Sequence, residues 1–121
     1  MSNTEPSVFT RIVAREIPAD IVFESDTVLA ITDIAPKAPV HLLVFPKTQQ
    51  YRSVAELAAG DPALLAEVVG VAQSLADDRT GGEFRLVFNT GERAGQTVFH
   101  VHAHVLGTAG DGDLTEGSLA E

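Results

Sequence analysis

The sequence predicts one mostly antiparallel α+β domain, and three observations carry that prediction. Five apolar, β-rich runs are separated by turn residues; one long helical stretch lies between Asp61-Pro62 and Gly81-Gly82; and 121 residues fit one compact core with little room for a second. Hydrophobic residues make up 45% of the chain and charged residues 21%, a balance that supports folding and not disorder.

Taken in order, residues 1–7 are polar and aperiodic and are expected to be a flexible N-terminus. The ordered domain is expected over residues 8–107. Phe9, Ile12 and Val13 recur at helical spacing and predict a short N-terminal helix that ends before Pro18. Ile21 to Glu24 and Val28 to Ile34 read as a hairpin about Ser25-Asp26-Thr27, which leaves Asp33 at a strand end. His41 to Phe45 reads as a third strand, with His41 at its entrance and Pro46 stopping it.

Ser53 and Glu56 have capping-box spacing, and Asp61-Pro62 joins an N-cap acid to proline at the first helical position. Leu64, Leu65, Val68, Val71, Ala72 and Leu75 then form one broad apolar face. Phe84 to Asn89 and Thr97 to Leu106 read as two further strands joined by the glycine-bearing loop of residues 90–96. Residues 108–121, with three Gly and four acids, read as a loose acidic tail.

Eight basic and 17 acidic residues give a net charge of −9, which repels phosphate backbones and anionic lipid. Nucleic acid polymers and membrane surfaces are therefore poor partners. The absence of Cys excludes disulfides, thiol nucleophiles and thiolate metal sites. No apolar run approaches the roughly 20 residues of a membrane span, and the N-terminal stretch lacks the pattern of a signal peptide. A cytoplasmic protein is expected.

All four histidines are His41, His100, His102 and His104, three of them alternating within five residues. On a strand this spacing puts three imidazoles on one face and Val101, Ala103 and Val105 on the other. Three readings compete. A polar strand face would more usually take Thr, Lys or Glu. A metal site is possible for two of these histidines, but His100 and His104 would stand about 13 Å apart on a straight strand, so His41 or Asp33 would have to complete the shell. The third reading makes a neutral imidazole the nucleophile and its neighbours proton carriers. The loop before the histidines, with Gly95, Gln96 and Thr97, could bring small residues, an amide and a hydroxyl to an anionic oxygen, or simply close a hairpin. Asn89 and Asp33 are similarly open between turn-forming and binding roles, and Phe9, Ile12 and Ile31 between core and pocket.

The stretch Gly95-Gln-Thr-Val-Phe-His-Val-His-Ala-His-Val-Leu-Gly107 resembles the signature of the histidine triad (HIT) superfamily. Glu16-Ile-Pro-Ala19, Leu29 to Ile34, Ala38-Pro-Val-His41 and Leu43-Val-Phe-Pro-Lys47 fall in the order and spacing of its Hint branch. The resemblance covers about residues 8–107. It implies a HIT-like fold, with an antiparallel five-stranded sheet, a long helix and a short N-terminal helix. It also implies hydrolysis or transfer at the α-phosphate of purine nucleoside phosphoramidates and related nucleotidyl esters or anhydrides, as in an adenosine 5′-monophosphoramidase.

By the same resemblance His102 is the nucleophile, His104 contacts phosphate and leaving group, His100 orients the nucleophile through its carbonyl, and His41 joins the proton relay. Asp33 takes the ribose. Asn89, Gly95, Gln96 and Thr97 lie on the phosphate or leaving-group side, and Val8, Phe9, Ile12, Ile31 and Ile34 around the base of an AMP-like nucleotide. A homodimer is implied, with no metal or other cofactor needed. Two alternatives are a dinucleoside polyphosphate hydrolase of the Fhit type and a nucleotide-binding regulatory module with residual turnover. This sequence departs from the pattern at Thr97, where Ser is common, at Ala94, often Gly, at Ile31, often aromatic, and in a tail without Trp or Pro.

Overall fold

The computed structural model describes residues 5–110 and 112–114, so most of the expected acidic tail lies outside the described residues. The elements are α1 (Val8–Val13), β1 (Ile21–Glu24), β2 (Val28–Thr32), β3 (Val40–Pro46), α2 (Val54–Gly60), α3 (Pro62–Thr80), β4 (Arg85–Val87), a 3-10 turn (Glu92–Ala94) and β5 (Ala103–Gly107). One five-stranded sheet has the order β1-β2-β3-β5-β4, antiparallel throughout. This is the α+β architecture the sequence predicts.

Strand alternation sorts the side chains to two faces. Val28, Ala30, Leu42, Val44, Ala103 and Val105, with Val101, pack against Leu57 of α2 and Leu64, Val68, Ala72, Leu75 and Ala76 of α3. The other face carries Leu29, Ile31, Leu43 and Phe45, which pack against Phe9 and Ile12 of α1. A six-residue helix is too short to persist alone. Burial of Phe9 and Ile12, worth about 1.5–3 kcal/mol each, and the Ser7 cap on the Thr10 N–H hold it in place.

The helix signals fall where the sequence puts them. Ser53 Oγ accepts from the Glu56 N–H at 3.2 Å, although the Glu56 carboxylate reaches back to the N–H of Arg52 and not to that of Ser53. Asp61 closes α2 and caps α3, accepting the Leu64 N–H at 3.1 Å. Gly81 ends α3 at φ 69°, a left-handed conformation that favours glycine.

Four strands differ from expectation, β3 least, since it starts one residue early at Val40 and includes Pro46 instead of stopping before it. β2 stops at Thr32 and not at Ile34, because Asp33 turns the chain: its Oδ1 accepts the Ala35 N–H at 2.8 Å. β4 keeps only residues 85–87 of the expected 84–89. The β5 ladder begins at Ala103 and not at Thr97, since residues 97–102 bend and their hydrogen bonds go elsewhere, the Val101 N–H to the Tyr51 carbonyl at 3.0 Å. His100 and His102 therefore stand in an irregular approach to the strand, and only His104 lies within it.

Candidate active site

The β3–β5 register sets His41 opposite Leu106 and Leu43 opposite His104, which makes His41 and His104 diagonal neighbours on one face. Their rings are 5.2 Å apart between centroids, and His41 Nε2 is 2.9 Å from His104 Nδ1. The Asp33 N–H donates to the His41 carbonyl at 3.0 Å, which brings the Asp33 Oδ2 to 3.2 Å from His41 Nε2. His102 and His104 have ring centroids 5.1 Å apart.

Hydrogen bonds assign the protons. The Lys37 N–H, which can only donate, reaches His41 Nδ1 at 2.9 Å, so a neutral His41 carries its proton on Nε2 and donates to His104 Nδ1. His104 then bears its own proton on Nε2, which is buried and has no partner among the described residues. His102 is wired the opposite way: its Nδ1 lies 2.8 Å from the His100 carbonyl, which can only accept, so the lone pair is on Nε2. Two neighbouring rings thus present a base and an acid.

Burial keeps the four rings neutral. Desolvation pushes His100 and His104 down to about 4, and it lowers His41 and His102 as well. For His104 the neighbouring His102 and His41 rings act in the same direction, and Asp33 opposes them. In His102 the hydrogen bond to the His100 carbonyl and the Asp33 charge offset part of the effect.

The histidine row is unequal. His100 is fully buried, with Phe9 and Phe45 edge-on at 5.5 Å each, and both its ring nitrogens have protein partners: Nε2 the Pro46 carbonyl at 2.7 Å, Nδ1 the Ser7 hydroxyl at 2.6 Å. The three triad rings therefore do not converge on one ion. Asp33, His41 and His104 each offer a ligand atom, all within 4.8 Å of one another, and this is the donor set on which a divalent ion would draw.

Beside the rings an apolar pocket of about 170 Å³ is lined by Val8, Phe9, Ile12, Ile31, Asp33 and Ile34 together with Ile17, Pro18, Ala19, Thr32 and Leu43. Ile34 is 97% exposed and forms a rim. On the loop side the Asn89 Nδ2 is buried with no partner among the described residues, and Gly95 adopts φ 96°. Thr97 is exposed. The Gln96 amide has a structural use: its oxygen accepts the Gly91 N–H at 2.9 Å and its nitrogen donates to the Arg52 and Val98 carbonyls at 2.7 and 3.0 Å.

Sequence reasoning did not find the Lys37 N–H, the Pro46 carbonyl or Ser7, the last of which it placed in the loose terminus. Only Ser7 left a readable signal, a serine directly before an apolar-periodic stretch.

A histidine-triad motif on a five-stranded antiparallel sheet, beside an apolar pocket and a carboxylate, defines the class. A family model described as "Scavenger mRNA decapping enzyme C-term binding" matches residues 6–118. An uncharacterised HIT-like protein of Synechococcus elongatus is 46% identical over 106 residues, covering 86% of this chain and 91% of its own length. The purine nucleoside phosphoramidase of Escherichia coli is 38% identical over 105 residues, or 85% of this chain and 87% of that protein. Among solved structures, a HIT family hydrolase from Legionella pneumophila superposes with a TM-score of 0.80 at 38% identity, over 92% of this chain and 97% of that one. The chain belongs to the histidine triad family. Its relatives define it coarsely as a HIT-family nucleotide hydrolase.

Proposed function

We propose that this protein hydrolyses purine nucleoside phosphoramidates, and related nucleotidyl esters or anhydrides, at the α-phosphate through a nucleotidyl-His102 intermediate. One observation carries the reading: the opposed tautomers of His102 and His104, an Nε2 lone pair beside a buried Nε2–H with no partner among the described residues. The His102 lone pair attacks phosphorus and the P–N bond breaks. The leaving nitrogen takes its proton through His104 Nε2–H from a His104–His41 pair that gains one extra proton when the anionic phosphate binds beside it, and the water that hydrolyses the intermediate returns that proton to the pair. Asn89 Nδ2, the Gly95 backbone and the Thr97 hydroxyl serve the phosphate side.

Asp33 takes the ribose in this reading. An ionised carboxylate has about four acceptor positions. The Ala35 N–H occupies one, which leaves positions for two sugar hydroxyls. The pocket of Val8, Phe9, Ile12 and Ile31, rimmed by Ile34, encloses the base. The similarity to the Escherichia coli phosphoramidase supports the substrate class.

The proposal includes a homodimer joined through sheet edges. β4 is an edge strand, and the Arg85 Nη1 on it is buried with no partner among the described residues. The proposal also includes a cytoplasmic location.

The test is turnover of adenosine 5′-monophosphoramidate by purified protein, with rapid base quench and mass spectrometry of the His102 peptide. An adenylyl adduct on His102 is expected. Hydrolysis of dinucleoside polyphosphates in preference to phosphoramidates would favour the Fhit-type activity instead, and nucleotide binding without turnover would favour the regulatory module.

A further inference from the structure

Ser7 has no part in the mechanism above, yet its side chain joins the nucleophile's support to the helix that walls the pocket. Its Oγ lies 2.6 Å from His100 Nδ1 and accepts the Thr10 N–H at 3.0 Å. Its backbone N–H donates to the Gln49 Oε1 at 2.8 Å, the same oxygen that the Thr10 hydroxyl reaches at 2.6 Å.

The direction of the Ser7–His100 bond follows from the other side of the ring. The Pro46 carbonyl accepts from His100 Nε2, so the neutral ring has its lone pair on Nδ1 and the serine hydroxyl must donate. His100 is thereby clamped at both nitrogens inside the core. Its own carbonyl accepts the His102 Nδ1–H, the bond that leaves His102 Nε2 unprotonated. A second route runs through α1, which Ser7 caps: Phe9 meets the His102 ring edge-on at 4.9 Å.

We infer that Ser7 is a positioning residue, whose hydroxyl fixes the His100 ring and through the His100 carbonyl holds His102 in the tautomer that presents Nε2. For its consequence on turnover this rests on His102 being the nucleophile. Without the hydroxyl, His100 Nδ1 is a buried acceptor with no donor, a penalty relieved when the irregular segment that carries His100 and its carbonyl shifts.

Ser7→Gly separates this role from capping, because glycine at an N-cap costs a helix only a few tenths of a kcal/mol relative to serine. Two readouts are made. In ¹⁵N-labelled protein, long-range ¹H–¹⁵N correlations of the imidazoles report each ring's tautomer. Wild type is expected to show His102 protonated at Nδ1, and Ser7→Gly a mixture. On adenosine 5′-monophosphoramidate, kcat is expected to fall about 5- to 30-fold, the equivalent of 1–2 kcal/mol, with KM little changed. Ser7→Thr, which restores the hydroxyl, is expected to recover both. In a His100→Ala background, Ser7→Gly should add no further loss.

An unchanged His102 tautomer in Ser7→Gly overturns the inference, as do losses that multiply across the two backgrounds. Should wild type fail to cleave phosphoramidates, the functional reading fails by itself, and the ring tautomers still decide whether Ser7 holds His102.

Discussion

His102 donates from Nδ1 to a carbonyl, whereas His104 accepts at Nδ1 from the His41 N–H, and these two bonds give otherwise identical side chains opposite roles. Removing the base should therefore cost more than binding. His102→Ala is expected to lose several orders of magnitude in kcat while it still binds nucleotide by calorimetric titration, and near-normal turnover would withdraw the nucleophile assignment. Because burial lowers His102 below its ordinary 6.5, kcat/KM should climb with pH along a limb below 6.5 and be flat by neutrality. Asp33 combines the two roles open in the sequence, since its Oδ1 closes a turn while its Oδ2 faces the site. Asp33→Asn preserves the turn chemistry, so the fold should survive. Nucleotide affinity should fall by about 1.5–3 kcal/mol, roughly 10- to 100-fold in Kd, if the ribose is read there. Equal penalties on ribose and 2′,3′-dideoxy ligands would show that the sugar is not what Asp33 binds.

Among the elements, α3 was the most legible, because proline at its first position, an acidic cap, a nineteen-residue amphipathic run and a left-handed glycine at its end are all local signals. Asp61 ends one helix and starts the next. Asp61→Ala is expected to cost about 0.5–2 kcal/mol in chemical denaturation. It should leave kcat unaltered, since α3 packs on the sheet face away from the histidines; a matching loss of activity would mean that the two faces are coupled. The β5 approach was least legible. Alternation at residues 100–105 sorts side chains correctly to the two faces, but a face pattern does not say where ladder hydrogen bonds begin, and the bend at residues 97–102 depends on partners such as Tyr51 that are distant in sequence.

At the scale of the whole molecule, two buried histidines link stability to pH. The unfolded chain binds protons at His100 and His104 near 6.5, and the folded chain only at about 4. Their stabilisation is complete above pH 6.5 and lost progressively as pH falls towards 4, because protonation then favours the unfolded state. The melting temperature should decline across that window and be insensitive to these residues above it; a flat profile between pH 6.5 and 4 would contradict their burial as neutral rings. Chelation tests the site as a unit. The partners of His100 and His102 keep the triad from surrounding an ion, so dialysis against a strong chelator should leave turnover intact. Loss restored by zinc or manganese would assign Asp33, His41 and His104 to an essential metal.

The sequence by itself determined the fold class, the helix boundaries of α3, the alternation that sorts residues 100–105 to two faces, and the family, because each rests on residue spacing along one local stretch. Only the tertiary structure decided which nitrogen of each histidine holds its proton. That choice is made by Lys37, Pro46, Ser7 and the His100 carbonyl, groups mostly brought close by strand register and chain bends. An imidazole's tautomer has no signature in the amino-acid code, since backbone donors and acceptors are alike at nearly every position and only their placement in space distinguishes them.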